Sequence, residues 1–213
     1  MLFRSWTVYY HKILMTNIIL DQLYTMNGTD MERQDLAGEA YFMRAFSYFM
    51  LANLYGKPYH PATANEDLCV PLNKEIGLSD KMMKRATNAA VYAQMEEDIN
   101  KAIQCFKAIG GEKTIFRPNL PSAYLLASRI ALFQEKYDVT ILYCDSVFKV
   151  ATQPLYKLQE KKDHYFFSLA NKEILLSYGL TSLETHMKED FRYTGNLVVS
   201  DDLLALYSED DLR

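Results

Sequence analysis

Residues 38–56 read GEAYFMRAFSYFMLANLYG, and this stretch decides the fold class of the 213-residue chain. Its apolar side chains recur at three- and four-residue steps, which is the spacing of an amphipathic helix. They are Ala40, Met43, Phe46, Met50 and Leu54. Gly56 and Pro58 end the pattern, and we expect Gly56 to adopt the left-handed conformation that glycine takes at little cost. The stretch therefore predicts a long helix that stops at Gly56.

The residues before this helix predict an antiparallel partner for it. Thr29 and Glu32 form a capping box, in which each side chain bonds the other residue's free backbone N–H. A first helix precedes the break at residues 27–28, because its apolar residues keep the helical period. They are Leu2, Trp6, Tyr9, Tyr10, Ile13, Leu20 and Tyr24. Polar residues interrupt every apolar window here, which excludes a membrane span, and Trp6 is expected in the core.

The rest of the chain predicts three more helices and one long loop. A third helix runs from the N-cap Thr87 to Gly110, and a fourth follows Asn119, with Pro121 tolerated in its first turn. Residues 137–150 form a fifth helix. Residues 57–86 show no clear period, and ordered loops of this length are often functional.

Beyond Pro154 the helical period fades, so we expect a short strand or extended segment at residues 173–178 and a short helix at 200–206. The fourth and fifth helices resemble a tetratricopeptide hairpin, with Glu135 standing where that hairpin usually has glycine. The predicted fold class is mainly α: antiparallel helical hairpins of tetratricopeptide-like type, with long irregular loops and little or no strand.

Composition and motifs exclude several classes of function. The 23 basic and 27 acidic residues give a net charge of −4, so no basic field is available to bind nucleic acid. The three cysteines form no CxxC pair and are expected as free, mostly buried thiols. Common phosphate-binding, metalloprotease and hydrolase motifs are absent, and residues 96–98 are expected to form a solvated helix face. We predict no catalytic residue, no cofactor and no metal.

Residues 38–51 with Tyr55 and Gly56 closely resemble the GEAxFxRAxxYFxLxxxYG signature of the SusD/RagB family. Five further segments resemble that family in the same order along the chain. They are W-x-x-Y-x-x-I-x-x-x-N from Trp6 to Asn17, R-x-T…Y…DL-x-x-A from Arg85 to Ala102, LLARVYLY…yd from Leu125 to Asp138, N-x-E-[IV] from Asn171 to Ile174, and D-x-L…Y…D-x-R from Asp201 to Arg213. The chain departs from the family's YGD-V-P at Lys57.

The resemblance implies a nutrient-binding lipoprotein at the cell surface, in the outer membrane of a Gram-negative bacterium. Such a protein captures oligosaccharide or peptide without catalysis and delivers it to a TonB-dependent SusC-like transporter. Residues 1–213 are then expected to be a single SusD-like helical domain that is incomplete, without the family's signal peptide, lipidated cysteine and C-terminal part. Membrane attachment would depend on a lipid anchor absent from this chain.

Sugar rings stack on flat aromatics, and their hydroxyls need polar side chains to replace water. Residues with this chemistry in the predicted loops are candidates for ligand binding. They are Tyr59, His60, Asn65, Asp67 and Tyr165. Packing of the aromatics within the loops is the simpler interpretation, and Glu39 and Arg44 are expected in structural pairs rather than at a ligand. The hairpins alone also allow an alternative function, a helical-repeat scaffold that binds protein and ignores sugars.

Overall fold

The computed structural model describes residues 2–77, 83–111, 114–151, 173–177 and 205–206. The chain divides into two compact units, Met1–Thr152 and Gln153–Arg213. Five helices lie among the described residues of the first unit. They are α1 (Leu2–Gln22), α2 (Asp30–Tyr55), α3 (Asn88–Ile109), α4 (Leu120–Phe133) and α5 (Tyr137–Val150). Within the described ranges there is no strand, only an isolated bridge between Leu68 and Thr87. The mainly α prediction is confirmed.

Successive helices pack against each other in antiparallel pairs. The Trp6 ring of α1 packs on Tyr55 at the end of α2, whereas Asn17 of α1 accepts a hydrogen bond from Arg44 nearer the middle of α2. The start of α1 thus lies beside the end of α2, so the two helices run antiparallel, as in a hairpin. α3 packs against α2 and α4, and α4 packs against α5. None of the helices in the described part of the chain is long and apolar enough to span a bilayer.

The predicted helix starts are present because capping is local chemistry. Thr29 and Glu32 form the expected reciprocal capping box before α2, and the Thr87 hydroxyl accepts a hydrogen bond from the Ala90 backbone N–H. Asn119 caps α4 in a second reciprocal box, with Ser122 at the third helical position. Each cap satisfies backbone N–H groups that the first helical turn leaves without a partner.

The prediction for Gly56 was wrong in its conformation. Its φ is −84° and its ψ 165°, which is extended backbone that any residue adopts. Glycine is needed for space instead, because a Cβ would lie 2.6 Å from the Ala52 carbonyl oxygen and 2.8 Å from the Cys69 Sγ. The loop that follows α2 thus folds back closely over the helix end.

A buried ion pair joins α2 to α3. The Arg44 Nε and Nη2 donate to the two carboxylate oxygens of Asp98 at 2.8 and 2.6 Å, and the Asp98 residue is fully buried. The interpretation of residues 96–98 as a solvated face was therefore wrong for Asp98. Glu39 pairs with Arg117 at 2.8 Å. Arg44 and Glu39 are therefore both in structural pairs, as expected, and each has its own partner.

Three further predictions differ from the structure or lie partly outside it. Trp6 is half-buried rather than in the core, and its ring packs on those of Tyr10 and Tyr55. Among the free cysteines, Cys69 is buried and the other two are half-buried. Residues 173–177 contain a turn and no strand, and only two residues of the predicted helix at 200–206 are described.

Candidate functional site

The loop between α2 and α3 is fixed to the start of α3 by backbone hydrogen bonds. The Cys69 N–H donates to the Ala86 carbonyl at 2.8 Å, and the Ala86 N–H donates to the Val70 carbonyl at 3.1 Å. The Asn88 N–H, in the first turn of α3, donates to the Asp67 carbonyl at 2.8 Å. These bonds satisfy polar backbone that the buried segment 69–71 would otherwise leave without partners.

Arg85 clamps the same loop from one side. Its Nε donates to the Cys69 carbonyl at 2.5 Å, and its Nη2 donates to the carbonyls of Leu68 at 2.9 Å and Tyr55 at 3.3 Å. One guanidinium thus ties the end of α2 to the loop. Burial raises the pKa of the Cys69 thiol to about 11, so this thiol stays protonated and unreactive at neutral pH.

Residues 60–67 form two successive turns that face solvent. The His60 carbonyl accepts from the N–H groups of Thr63 and Ala64, and the Thr63 carbonyl accepts from those of Glu66 and Asp67. The side chains of His60, Thr63, Asn65 and Glu66 are exposed. These turns therefore present hydrogen-bond donors and acceptors on a backbone that is held in place.

Tyr59 is half-buried beside these turns. Its ring packs on the buried Tyr92 ring of α3, with 4.7 Å between centroids and an angle of 57° between planes. Burial raises the pKa of the Tyr92 hydroxyl above its ordinary value. This packing fixes the orientation of Tyr59 and leaves part of the side chain exposed. The ring can therefore pack on Tyr92 and still be available to stack on a ligand.

Asp67 is occupied by contacts within the loop. Its carboxylate accepts from the Lys57 ammonium at 2.5 Å and from the Thr63 hydroxyl at 2.6 Å. The Lys57 hydrogen bond, followed by that of Thr63, lowers the pKa of the Asp67 carboxyl below its ordinary value. Lys57, where the chain departs from the family pattern, thus has a structural role at Asp67.

The structure brings four of the five predicted ligand residues together. Tyr59, His60, Asn65 and Asp67 lie within one ordered loop, whereas Tyr165 lies outside the described residues. Tyr59, His60 and Asn65, whose side chains are exposed wholly or in part, combine a ring face with donor and acceptor groups. We name the exposed surface of residues 59–66 the loop surface, and its role in ligand binding stays a prediction.

Sequence reasoning missed a cleft that lies apart from the loop surface. The cleft, of about 470 Å³, is lined by side chains from α1, α2 and the segment 74–77. No motif signals it, because its residues are separated by tens of positions in the sequence. Across the described part of the chain, no group of three or more His, Cys, Asp or Glu residues could hold a metal ion.

Comparison with known families identifies the architecture. Residues 2–132 match the sequence model of a SusD-like family described as starch-binding and associating with the outer membrane. The chain belongs to the SusD-like family. The resemblance predicted from the signature at residues 38–56 is thereby confirmed, and the family is one of non-catalytic, carbohydrate-binding proteins. No curated protein matches the sequence significantly.

Solved structures show the same fold. A SusD-like carbohydrate-binding protein from Bacteroides vulgatus is 23% identical, with a TM-score of 0.69 over 81% of this chain and 36% of its own. A SusD superfamily protein from Bacteroides thetaiotaomicron is 26% identical, with a TM-score of 0.66 over 73% of this chain and 34% of its own. A laminarin-binding SusD-like protein is 25% identical, with a TM-score of 0.57 over 67% of this chain and 29% of its own. This SusD-like chain spans about a third of the length of the structures it matches.

Proposed function

We propose that the protein captures glycan without cleaving it, and that the loop surface contributes to the contact. The family match over residues 2–132 carries this proposal. The laminarin-binding relative supports a neutral polysaccharide as the ligand class. Exposed His60, Asn65 and Glu66 supply hydrogen-bond partners for hydroxyls, and Tyr59 supplies a partly exposed ring.

The family match also supports a proposal for the cellular location of the protein and for its transporter partner. The matched family is described as starch-binding and associating with the outer membrane, so we propose that the protein works at the cell surface and delivers glycan to a TonB-dependent SusC-like transporter. A rigid loop suits capture, because a surface that is ordered before binding loses less entropy when the ligand arrives.

Affinity electrophoresis of the full chain in gels that contain laminarin, starch or xyloglucan tests the proposal. We expect at least one polysaccharide to retard the protein, and the Tyr59→Ala and His60→Ala variants to be retarded less. Tyr24→Ala is the matched control, since Tyr24 is 87% exposed in the connection between α1 and α2, outside the loop surface. Equal mobility in every gel would contradict glycan capture.

One observation favours the alternative scaffold. α5 exposes large apolar side chains, among them Tyr137, Ile141, Leu142 and Phe148 at 59–65%, and exposed apolar patches are typical of protein-binding surfaces. The same gels discriminate the two functions. A scaffold without glycan binding predicts unchanged mobility with all three polysaccharides.

A further inference from the structure

The cleft that the sequence did not signal lies where three segments meet. α1 contributes Asn17, Leu20 and Asp21, α2 contributes Arg44, and the loop contributes residues 74–77. Its volume of about 470 Å³ falls in the range of about 300–1,000 Å³ that is typical of small-molecule sites. The cleft shares no lining residue with the loop surface.

A network of satisfied polar groups fixes the Arg44 end of the cleft. Arg44 is 8% exposed; besides its two bonds to Asp98, its Nη1 donates to the Asn17 Oδ1 at 2.9 Å. The Asn17 Nδ2 donates to the carbonyls of Asn73 at 3.0 Å and Glu75 at 3.3 Å. The network orders the loop segment against α1 before any ligand is present.

Arg44 keeps hydrogen-bonding capacity beyond this network. A guanidinium has five N–H donors, and the bonds to Asp98 and Asn17 use three of them. Within the described ranges, one N–H on each terminal nitrogen donates to no protein acceptor, and the Arg44 side chain lines the cleft. A ligand that accepts two hydrogen bonds would satisfy both of these donors.

The remaining walls indicate an uncharged ligand. Asp98 already neutralises Arg44, and Lys74 is opposed by Asp21 and Glu75, so the lining has no excess positive charge for an anionic ligand. Leu20 and Ile76 add apolar surface. A hydroxyl group both donates and accepts, so a neutral sugar uses acidic and basic neighbours together, and its C–H groups fit the apolar wall.

From this juxtaposition we infer that the cleft is a second binding subsite, for a neutral mono- or disaccharide unit, with Arg44 and Asp21 supplying donors and acceptors. The inference rests on the proposed function, since it presupposes a glycan ligand, and it adds a site separate from the loop surface.

Amide chemical shifts of the ¹⁵N-labelled full chain test the inference. The probes are the neutral disaccharides laminaribiose, maltose and cellobiose, with glucuronic acid and glucosamine as charged comparisons. We expect at least one neutral disaccharide to shift the amides of Asp21, Ile76 and Gly77, with weaker shifts from the charged sugars.

Two variants in the cleft and one matched control elsewhere test the site. A Cβ at Gly77 meets no atom within 4 Å, so Gly77→Trp can fill the cleft, and we expect it to raise the dissociation constant at least tenfold. Lys149→Trp, at an exposed position on α5, is the matched control and leaves binding unchanged. Lys74→Ala, which loses only a 3.9 Å contact to Glu97, provides a second cleft variant and is expected to weaken binding.

The outcomes separate the subsite from the proposed function. Shifts confined to residues 59–66 would overturn the subsite and leave glycan capture standing. Stronger shifts from a charged sugar than from every neutral one would overturn the ligand class. The absence of a shift with any disaccharide would also overturn the subsite. Glycan capture is tested separately, by the mobility of the protein in the polysaccharide gels.

Discussion

Removing the carboxylate of Asp98 tests the buried ion pair between α2 and α3. Asp98→Ala leaves the Arg44 guanidinium buried without its counter-ion. Two charge-assisted hydrogen bonds, at 2.8 and 2.6 Å, are lost. Each such bond contributes about 1.5–3 kcal/mol, and removing one partner of a buried pair costs about 3–5 kcal/mol. Because typical domains are stable by only about 5–15 kcal/mol, we expect the free energy of unfolding to fall by about 3–5 kcal/mol.

Urea denaturation followed by helical circular dichroism measures this loss. Glu97→Ala is the matched control, since the neighbouring residue makes half-exposed pairs with Lys101 at 2.6 Å and with Lys74 at 3.9 Å, and pairs of this kind contribute about 0.2–1 kcal/mol each. The double variant Arg44→Met/Asp98→Leu removes both charges and should be more stable than Asp98→Ala alone. A loss for Asp98→Ala within about 1 kcal/mol of that for Glu97→Ala would show that the buried pair contributes no more to stability than an exposed one.

Three other predictions concern close packing, backbone strain and pH. Gly38→Ala places a Cβ 2.7 Å from the Phe106 ring and should lower the free energy of unfolding by about 1–3 kcal/mol; urea denaturation checks this, and a variant as stable as Gly77→Ala would contradict it. Glu135 has a φ of 62°, so Glu135→Gly should raise the thermal midpoint by relieving about 1 kcal/mol of strain, whereas an unchanged or lower midpoint would argue against strain. The lowered pKa of Asp67 means that its contribution to stability is complete above the ordinary value of 3.8 and is lost as the pH falls through the folded-state pKa. NMR titration of the Asp67 carboxyl should give a midpoint below 3.8 that rises in Lys57→Met, and equal midpoints would exclude the Lys57 hydrogen bond as the main cause.

The helices could be predicted because their boundaries depend on local chemistry. Thr29, Thr87 and Asn119 cap the helices that follow them, and each is recognisable from the few residues around it. The conformation of Gly56 could not be predicted, because it depends on the approach of Cys69, which lies in the following loop.

The burial of Asp98 could have been predicted from its spacing to apolar residues along α3, but not from the charge of its immediate neighbours. Asp98 follows Met95 by three residues and precedes Ala102 by four, and both of these apolar residues are fully buried. The helical phase thus places Asp98 on the core side of α3. Its position after two other acidic residues indicated a solvated face instead, and that interpretation was wrong.

Of the two surface features, one could be located from the sequence and the other could not. The loop surface could be predicted from the composition of one continuous segment, which the structure holds together through Arg85 and the turns at residues 60–67. The cleft could not, because Asn17 and Arg44 are brought to residues 74–77 only by the packing of α1, α2 and the loop.

Glycan capture without cleavage is tested most directly by incubating the full chain with laminarin hexasaccharide and measuring both bound ligand and product. Equilibrium dialysis gives the bound fraction, and chromatography of the released sugar gives its chain length. Glycan capture without cleavage predicts saturable binding and recovery of the hexasaccharide at its original length. Recovery of shorter oligosaccharides, or no bound hexasaccharide together with equal mobility in all three polysaccharide gels, would contradict it.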